Sequence, residues 1–377
     1  MRGVRGVLLT ILMVGIAAVV LALSGAKGAG TCAGASRCST VRLPAPITLA
    51  MERTDRGRVS GTVSYRIGRD RRVNPIANAP SPYPRGSTWF PGTGTWYVIR
   101  RGHLVVGRGR RILWRSHAEI AANQLGVIVA GPHTVALQHD HRLYLAPPHG
   151  IERPVAAREL PLGWTTGGLY TYSYPRRELL LRSDTGVIVK RLARRPFEYA
   201  FDPESGSLYF VVRGVLSGVH GARSWRLASL RSLGMSPNTR LQPLGRLVEL
   251  LDDQRLALVR PGGSLFASTQ VGDLDRISSS LAIASRIGVV AFTGVTGPKA
   301  KPNAENVYLL RAGAHAAVAV DRETGSFGGC VQWSDLRWHG NWLLYSNTSG
   351  NLAAIDTTNH RVIELRGLAR HPPAKDA

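Results

Sequence analysis

The sequence predicts an all-β chain folded as a β-propeller, and three observations lead to that prediction. An apolar residue followed by an aromatic one recurs at Trp96-Tyr97, Leu143-Tyr144, Leu169-Tyr170, Leu208-Tyr209, Leu265-Phe266, Val307-Tyr308 and Leu344-Tyr345. Tyr97 and Tyr345 are 248 residues apart, which gives six steps of about 41 residues, the usual length of a four-stranded blade. Each pair lies in a short apolar run bounded by polar turns, which indicates strand hairpins. Helical patterns are few, with at most a short helix at Glu119–Leu125.

The first 26 residues are a targeting segment and stand outside the fold. Arg2 and Arg5 precede an apolar run, Val7–Leu23, which would be about 25 Å long as a helix. Ser24-Gly25-Ala26 fits a signal cleavage site, so residues 1–26 form either a signal peptide or an N-terminal membrane anchor. In both cases the rest of the chain is exported and becomes extracytoplasmic, secreted or anchored to the cell membrane.

The three cysteines, Cys32, Cys38 and Cys330, agree with export, because disulfides persist outside the cytoplasm. Cys32 and Cys38 can close a small loop as a disulfide. Alternatively Cys38 can pair with Cys330, and a lipid on Cys32 would account for the remaining thiol.

Residues 27–95 are predicted to form a tether and an extended arm before the repeats. The arm contains two strand-like runs, Ile47–Met51 and Val59–Ile67. We expect residues 41–67 to add a strand that closes the ring and covers a sheet edge. The proline-rich stretch 74–91 is expected to be a loop that cannot continue a sheet.

The propeller is predicted over residues 96–366, followed by a tail at 367–377. Seven units of strand-like runs follow one another, so seven blades are predicted, with six as the alternative; the units are 96–115, 127–145, 169–192, 199–227, 247–270, 281–320 and 336–365. Turn chemistry repeats between these runs, because Asp and Thr bond the turn backbone and Gly or Asn accepts a positive φ. The repeated turns are Ser183-Asp184-Thr185-Gly186, Asp321-Arg322-Glu323-Thr324-Gly325 and Asp356-Thr357-Thr358-Asn359.

With these features the chain resembles the β-propeller repeat superfamily, in the style of WD40-like, TolB-like and pyrroloquinoline-quinone-type (PQQ-type) repeats. Val320-Asp321-Arg322-Glu323-Thr324-Gly325 and Ile355-Asp356-Thr357-Thr358-Asn359 are similar to the outer hairpin of the quinone-type repeats. The second copy has Asn359 where that pattern has Gly. The resemblance indicates no specific family within the superfamily, and its TolB-like side implies protein binding in the cell envelope.

The charge balance favours an anionic partner. The chain has 48 basic against 24 acidic residues, for a net charge of +24. The densest basic group is flanked by Trp96 and Trp114 and consists of Arg100, Arg101, Arg108, Arg110 and Arg111. Guanidinium groups bind anions as a planar fork, and tryptophan can stack on a ligand, so these arginines are the predicted anion-binding residues. Alternatively, they are solvated cations on exposed strands.

His139-Asp140-His141 contains two histidines that could bind a metal from one strand. The motif lies between two apolar runs, however, where a hairpin turn belongs, and the turn is the favoured interpretation. We expect no metal or other cofactor, and no catalytic residue stands out.

The function predicted from the sequence is a binding scaffold for a protein or an anionic envelope polymer. Its membrane contact is the N-terminal segment, export argues against nucleic acid, and a monomer is expected. The alternative from another class is an extracytoplasmic enzyme, either a quinone-dependent dehydrogenase or a glycan hydrolase or lyase. A hydrolase would require two facing carboxylates.

Overall fold

Nearly every residue with a described position belongs to a β-strand or to a turn between strands. The computed structural model describes residues 47–364 except 56–57, 68–72, 81–83, 85–86, 91–94, 122–123, 149, 253–254, 271–281, 285–287, 295–303, 325–333, 347–351 and 357–360. The targeting segment, the three cysteines and the tail lie outside the described residues. No helix among the described residues is long and apolar enough to cross a membrane.

The chain divides into two compact units. The central unit is Pro82–Ser268, and the terminal unit combines Met1–Ser81 with Thr269–Ala377. Each unit is built from antiparallel sheets in which strands that follow one another in the chain are also neighbours in the sheet.

The terminal unit begins with a three-stranded sheet of β1 (Ile47–Asp55), β2 (Arg58–Ile67) and β3 (Val73–Pro80). The first two strands confirm the predicted runs. β1 pairs with β2, and β2 pairs with β3, so the described residues of these strands form a sheet of their own. Closure of the ring by residues 41–67 stays a prediction.

β3 also corrects the expectation of a proline-rich loop, because part of that stretch is a strand. Pro75 lies beside an irregularity in the pairing with β2, between Ser64 and Tyr65, and Pro80 is the last residue of the strand. β3 is at the edge of its sheet, and edge strands tolerate residues that lack an N–H donor.

The central unit contains five sheets of four strands each. The first sheet is β4 (Thr88–Phe90), β5 (Thr95–Arg100), β6 (His103–Arg108) and β7 (Arg111–Arg115). The second is β8 (Leu125–Ala130), β9 (Val135–His139), β10 (Arg142–Ala146) and β11 (Arg153–Ala157). The third is β12 (Glu159–Thr165), β13 (Gly168–Ser173), β14 (Glu178–Arg182) and β15 (Ile188–Arg194).

The fourth sheet is β16 (Glu198–Asp202), β17 (Ser207–Val212), β18 (Val215–His220) and β19 (Arg223–Ser229). A 3-10 helix at Arg231–Leu233 leads to the fifth sheet. The fifth is β20 (Arg240–Leu244), β21 (Leu247–Leu251), β22 (Arg255–Val259) and β23 (Leu265–Gln270), the last two residues of which fall in the terminal unit.

The terminal unit contributes two further four-stranded sheets. They are β24 (Ala282–Ala284), β25 (Val289–Gly294), β26 (Ala304–Arg311) and β27 (Val318–Thr324), then β28 (Ser334–His339), β29 (Trp342–Ser346), β30 (Leu352–Asp356) and β31 (Arg361–Glu364). The described residues thus form seven four-stranded sheets, each with the strand order of a propeller blade. The all-β propeller fold is confirmed, and the number of blades in the ring stays a prediction.

Two local predictions are corrected. Asp321–Thr324 was predicted as part of a turn but lies in β27, an outer strand of its sheet, where polar residues are tolerated. The predicted helix at Glu119–Leu125 is wrong, because Leu125 begins β8 and the Ile120 N–H bonds to the Gly102 carbonyl instead of to a helical turn.

The strands of each four-stranded sheet are called A, B, C and D in chain order. Because the strands alternate in direction, the B–C turn and the D–A connection to the next sheet lie at one end, and the A–B and C–D turns lie at the other. In the central unit successive A strands contact each other: β8 with β12, β12 with β16, and β16 with β20.

The repeated apolar-aromatic pairs occupy different strands in different sheets. Trp96-Tyr97, Leu169-Tyr170, Leu208-Tyr209 and Leu344-Tyr345 lie in B strands, whereas Leu143-Tyr144 and Val307-Tyr308 lie in C strands and Leu265-Phe266 in a D strand. Many members are core residues, such as Tyr170, which has no exposed surface. The repeat therefore records core packing and not one fixed position in a blade.

Candidate functional site

The five arginines predicted to bind an anion divide between two ends of the first sheet. Arg100 and Arg101 lie at the B–C turn, whereas Arg108, Arg110 and Arg111 lie at the C–D turn. Strand β6 separates the two groups by roughly 17 Å, at about 3.3 Å per residue. All five side chains are exposed, so anion binding stays a prediction for each group and the five do not form one site.

The two tryptophans beside these arginines are core residues. Trp96 is 2% exposed and Trp114 is 1% exposed. Each indole N–H donates to a backbone carbonyl, Trp96 to Gly109 at 2.7 Å and Trp114 to Gly150 at 3.1 Å. The expectation that they stack on a ligand is therefore wrong.

The histidine motif forms the turn that the sequence favours. His139 ends β9, and Asp140 and His141 both have a positive φ in the two-residue loop before β10. The His139 ring stacks on Tyr144 with centroids 4.0 Å apart. In the described part of the chain no three His, Cys, Asp or Glu side chains are placed to hold a metal ion.

A different set of arginines is distinguished by its backbone. Seven described residues other than glycine have a positive φ, and all seven lie in B–C turns or D–A connections of the central unit: Arg101, Asp140, His141, Arg158, Arg177, Arg195 and Arg213. Five of the seven are arginine. We call this end of the sheets the arginine end.

At the opposite end of the same sheets, the residues with a positive φ are glycines. In the described A–B and C–D turns of the central unit, the residues with a positive φ are Gly109, Gly168, Gly186, Gly206, Gly221, Gly245 and Gly263. We call this the glycine end. Glycine adopts positive φ without strain, whereas an arginine there costs about 1–2 kcal/mol.

Backbone hydrogen bonds join the connections of the arginine end to each other. In each of the first four sheets, a residue of the D–A connection donates its N–H to the B–C turn of the same sheet: Ile120 to Gly102, Arg158 to His141, Arg195 to Arg177, and Leu230 to Gly214. The Tyr174 N–H in addition donates to the Arg158 carbonyl at 3.0 Å. These bonds hold the turn arginines in fixed positions.

Three tyrosines meet at this end of the third and fourth sheets. Tyr172 stacks on Tyr199 with centroids 4.8 Å apart and contacts the edge of Tyr174 at 5.1 Å. We call Tyr172, Tyr174 and Tyr199 the tyrosine cluster. Burial raises the pKa of all three hydroxyls, so they stay protonated and can donate hydrogen bonds over the physiological range.

Two aromatic side chains at this end of the third and fourth sheets are exposed. Tyr174 is 41% exposed and Phe197, in the next D–A connection, is 53% exposed. Both have fixed backbones, because the Phe197 N–H donates to the Val211 carbonyl at 2.8 Å and the Tyr174 N–H is bonded as described. Their exposure is thus a property of an ordered surface.

Three arginines lie next to the tyrosine cluster along the backbone. Arg177 is close enough to Tyr172 to favour ionisation of its hydroxyl, although burial dominates and the Tyr172 pKa is raised. Arg158 and Arg195 are joined by backbone bonds to Tyr174 and Arg177 respectively. The cluster is therefore bordered by three of the five left-handed arginines.

Glu198 lies beside the cluster at the start of β16. Successive side chains of a strand point to opposite faces, so the Glu198 carboxyl and the Tyr199 ring lie on opposite sides of β16. Burial raises the pKa of Glu198 to about 7, and nearby Arg240 partly opposes that rise. The charge of Glu198 therefore changes near neutral pH.

The other buried carboxylates of this region have arginine partners. Glu159 accepts hydrogen bonds from Thr171 and from Arg182, whose Nε lies 2.6 Å from Oε1. Glu178 accepts from Arg194 at 2.7 Å, and this bond lowers the pKa of Glu178. Both groups stabilise the third sheet.

Sequence reasoning did not single out Arg158, Arg177, Arg195 or the tyrosine cluster. These residues are distant in the chain and are brought together by the connections between sheets. One signal was available: Tyr170, Tyr172 and Tyr174 alternate, which places all three on one face of a strand.

No protein-family model matches the chain, and no curated protein matches it. Among solved structures, BamB from Moraxella catarrhalis is 14% identical, covers 82% of this chain and 97% of its own, and has a TM-score of 0.42. Apo AztD from Citrobacter koseri is 11% identical over 86% of this chain and 96% of its own, with a TM-score of 0.46. Kluyveromyces lactis Hsv2 is 7% identical over 81% and 93%, with a TM-score of 0.40. These values assign no family, and strand order and blade repeat place the chain in the β-propeller fold class.

Proposed function

We propose that the chain is an extracytoplasmic binding module that captures an anionic macromolecule through the arginine end of its central unit. The observation that carries this proposal is the placement of five arginines at left-handed positions of one end, where glycine would be less strained. Strained residues that persist in a fold often serve a ligand site.

The chemistry of arginine fits such a partner. Each guanidinium presents several N–H donors in a planar fork and stays charged at all physiological pH values. The net charge of +24 adds a long-range attraction for anions. The partner is an acidic protein segment or an anionic envelope polymer.

The proposed extracytoplasmic location is inferred from the N-terminal segment. Its two arginines and apolar run favour export or anchoring of the remainder, which exposes the arginine end to envelope components and keeps it away from nucleic acid. A monomer suffices for this activity, since the arginine end is built from one chain.

The enzymatic alternative has less support. A glycan hydrolase would need a second carboxylate facing one such as Glu198. Glu159 and Glu178 are bonded to arginines, and these bonds favour a structural role for both.

The test is binding of the purified exported region to polyglutamate and to polygalacturonate, measured by fluorescence anisotropy at low and moderate salt. We expect salt-sensitive binding of at least one polymer. The triple variant R158G/R177G/R195G should bind about tenfold more weakly, because three charged contacts are lost. Glycine is chosen because it accepts the positive φ at these positions, so the fold is retained.

The matched control removes three exposed arginines from the glycine end that belong to no predicted anion-binding group, as R153S/R223S/R246S. It should bind within about twofold of the parent, since only general charge is lost. Equal losses in the two triple variants, or no binding of either polymer, would contradict the proposal.

A further inference from the structure

The tyrosine cluster and Phe197 give the arginine end an apolar anchor point. We propose that this surface docks an acidic protein segment, with an apolar or aromatic side chain of the segment packed on Tyr174 and Phe197 and its carboxylates bound by Arg158, Arg177 and Arg195. This inference rests on the proposed function and specifies its partner.

The composition of the surface is that of a protein interface. Aromatic residues and arginine are enriched at interface centres, whereas lysine and the acidic residues are depleted there. Tyrosine and arginine also supply many of the residues that dominate binding energy. Here Tyr174 and Phe197 are 41% and 53% exposed, with arginines on both sides along the chain.

The surface is preorganised. Backbone bonds fix Tyr174 to Arg158, Arg195 to Arg177, and Phe197 to Val211, and ring contacts fix Tyr174 against Tyr172. A ligand therefore meets side chains with restricted backbones and loses less entropy on binding.

An apolar anchor favours a protein segment over a polysaccharide. The arginine side chains are donors only and match the carboxylates of either partner, whereas the tyrosine hydroxyls both donate and accept. Hydrogen bonding alone therefore does not separate the two partners. An apolar side chain of a peptide, in turn, can bury the exposed ring of Phe197, which has no polar atom of its own.

The experiment compares three probes on the full exported region: a random copolymer of glutamate and tyrosine, polyglutamate of the same length, and polygalacturonate. The parent protein should bind the copolymer about tenfold more tightly than polyglutamate, because only the copolymer carries an aromatic anchor. The double variant Y174S/F197S should lose that advantage and keep its affinity for polyglutamate within about twofold.

Two further variants separate docking from folding. Tyr174→Phe keeps the ring and should retain most of the copolymer preference. The double variant I112S/V189S changes two other exposed apolar residues, which are 55% exposed each, and should leave the preference unchanged. Equal denaturation midpoints for the parent and Y174S/F197S would show that a lost copolymer preference does not come from unfolding.

The outcomes distinguish this inference from the proposed function. If the copolymer and polyglutamate bind equally, and both depend on Arg158, Arg177 and Arg195, the docking inference is overturned while the proposed function stands. If polygalacturonate binds most tightly and Y174S/F197S weakens it, the partner is a polysaccharide and the inference is overturned. If no probe binds, the proposed function fails and the inference fails with it.

Discussion

The two ends of the central sheets solve the same backbone problem with different residues. Both require residues with a positive φ in their turns. At the glycine end these residues are all glycine in the described turns, whereas at the arginine end three of the ten described residues with a positive φ are glycine and five are arginine. The turns also differ in geometry, because two-residue turns at the arginine end contain two consecutive residues with a positive φ, as in Arg213-Gly214, whereas those at the glycine end contain one, as at Gly221. Glycine would be less strained than arginine in both kinds of turn.

The difference indicates that the glycine end is selected for a stable backbone and the arginine end for positive charge. Glycine minimises strain in the A–B and C–D turns. An arginine in such a turn is strained, but it places a positive charge at a fixed position of the backbone.

Gly168→Ala at the glycine end should lower the free energy of unfolding by roughly 3–5 kcal/mol, from backbone strain and overlap together. Gly168 has a φ of +132°, and an added Cβ would lie 2.0 Å from the Arg182 carbonyl oxygen. Chemical denaturation measures the change. Gly109→Ala is the control, because its Cβ would meet no atom within 4 Å and only the left-handed strain of about 1 kcal/mol remains. Similar losses in both variants would show that space at this end is not limiting.

Glu249→Gln tests the cost of a buried carboxylate in the middle of a sheet, away from the arginine end and the glycine end. Glu249 lies in β21, is 5% exposed and pairs with Leu258, and burial raises its pKa to about 8. A carboxyl with a raised pKa stabilises the fold fully below its unfolded pKa, near 4.5, and loses that contribution as pH rises toward 8. Denaturation at pH 4.5 and pH 9 should therefore show the variant gaining about 4 kcal/mol of unfolding free energy relative to the parent on going to pH 9.

The same measurements on Glu204→Gln give the reference, since Glu204 is exposed in an A–B turn. If the unfolding free energy of Glu249→Gln differs from that of the parent by the same amount at both pH values, or changes as that of Glu204→Gln does, a buried carboxyl at Glu249 is excluded.

Arg213→Gly tests the strain at the arginine end directly. Arg213 has a φ of +49° and is followed by Gly214 in a two-residue turn. The variant should gain about 0.5–1 kcal/mol, because released strain exceeds the added chain entropy of glycine. Arg223→Gly, within β19, should instead lose about 0.5–1 kcal/mol. If Arg213→Gly is as destabilising as Arg223→Gly, the arginine turns are not strained.

Glu198→Gln should change the pH dependence of polyanion binding by a few-fold in affinity. As pH rises through the Glu198 pKa of about 7, the parent gains a negative charge at the arginine end and should bind polyglutamate more weakly at pH 8 than at pH 6. The variant should show a flatter profile in the anisotropy titration. A parent profile that is already flat would exclude Glu198 from this surface.

Much of the fold was predictable because hairpin turns and apolar alternation are local. The hairpin turn predicted at the histidine motif is the two-residue turn Asp140-His141 of the structure. Several strands outside the predicted units were missed: β11 contains Pro154, β12 contains Pro161 and Gly163, and β20 contains Pro243. Such residues weaken the pattern by which a strand is recognised in a sequence.

The candidate site was less predictable because it depends on contacts between distant segments. A cluster of arginines in the sequence, Arg100–Arg111, is separated by the length of β6. Arg158, Arg177 and Arg195 are spread over the chain and are brought to the tyrosine cluster by backbone bonds between connections. No local sequence pattern predicts such bonds. One local signal was present: two-residue turns of this kind usually have Asn or Asp before glycine, whereas this chain has arginine before Gly102 and Gly214.

The bonds from the D–A connections to the B–C turns have a consequence for how this surface can change over evolution. They use only main-chain N–H and carbonyl groups, and their acceptors are residues as different as Gly102, His141, Arg177 and Gly214. Substitutions at these turns therefore alter what the surface recognises without removing the bonds that support it. Successive substitutions at these turns could therefore adapt the surface to a partner of different charge while the backbone bonds are kept.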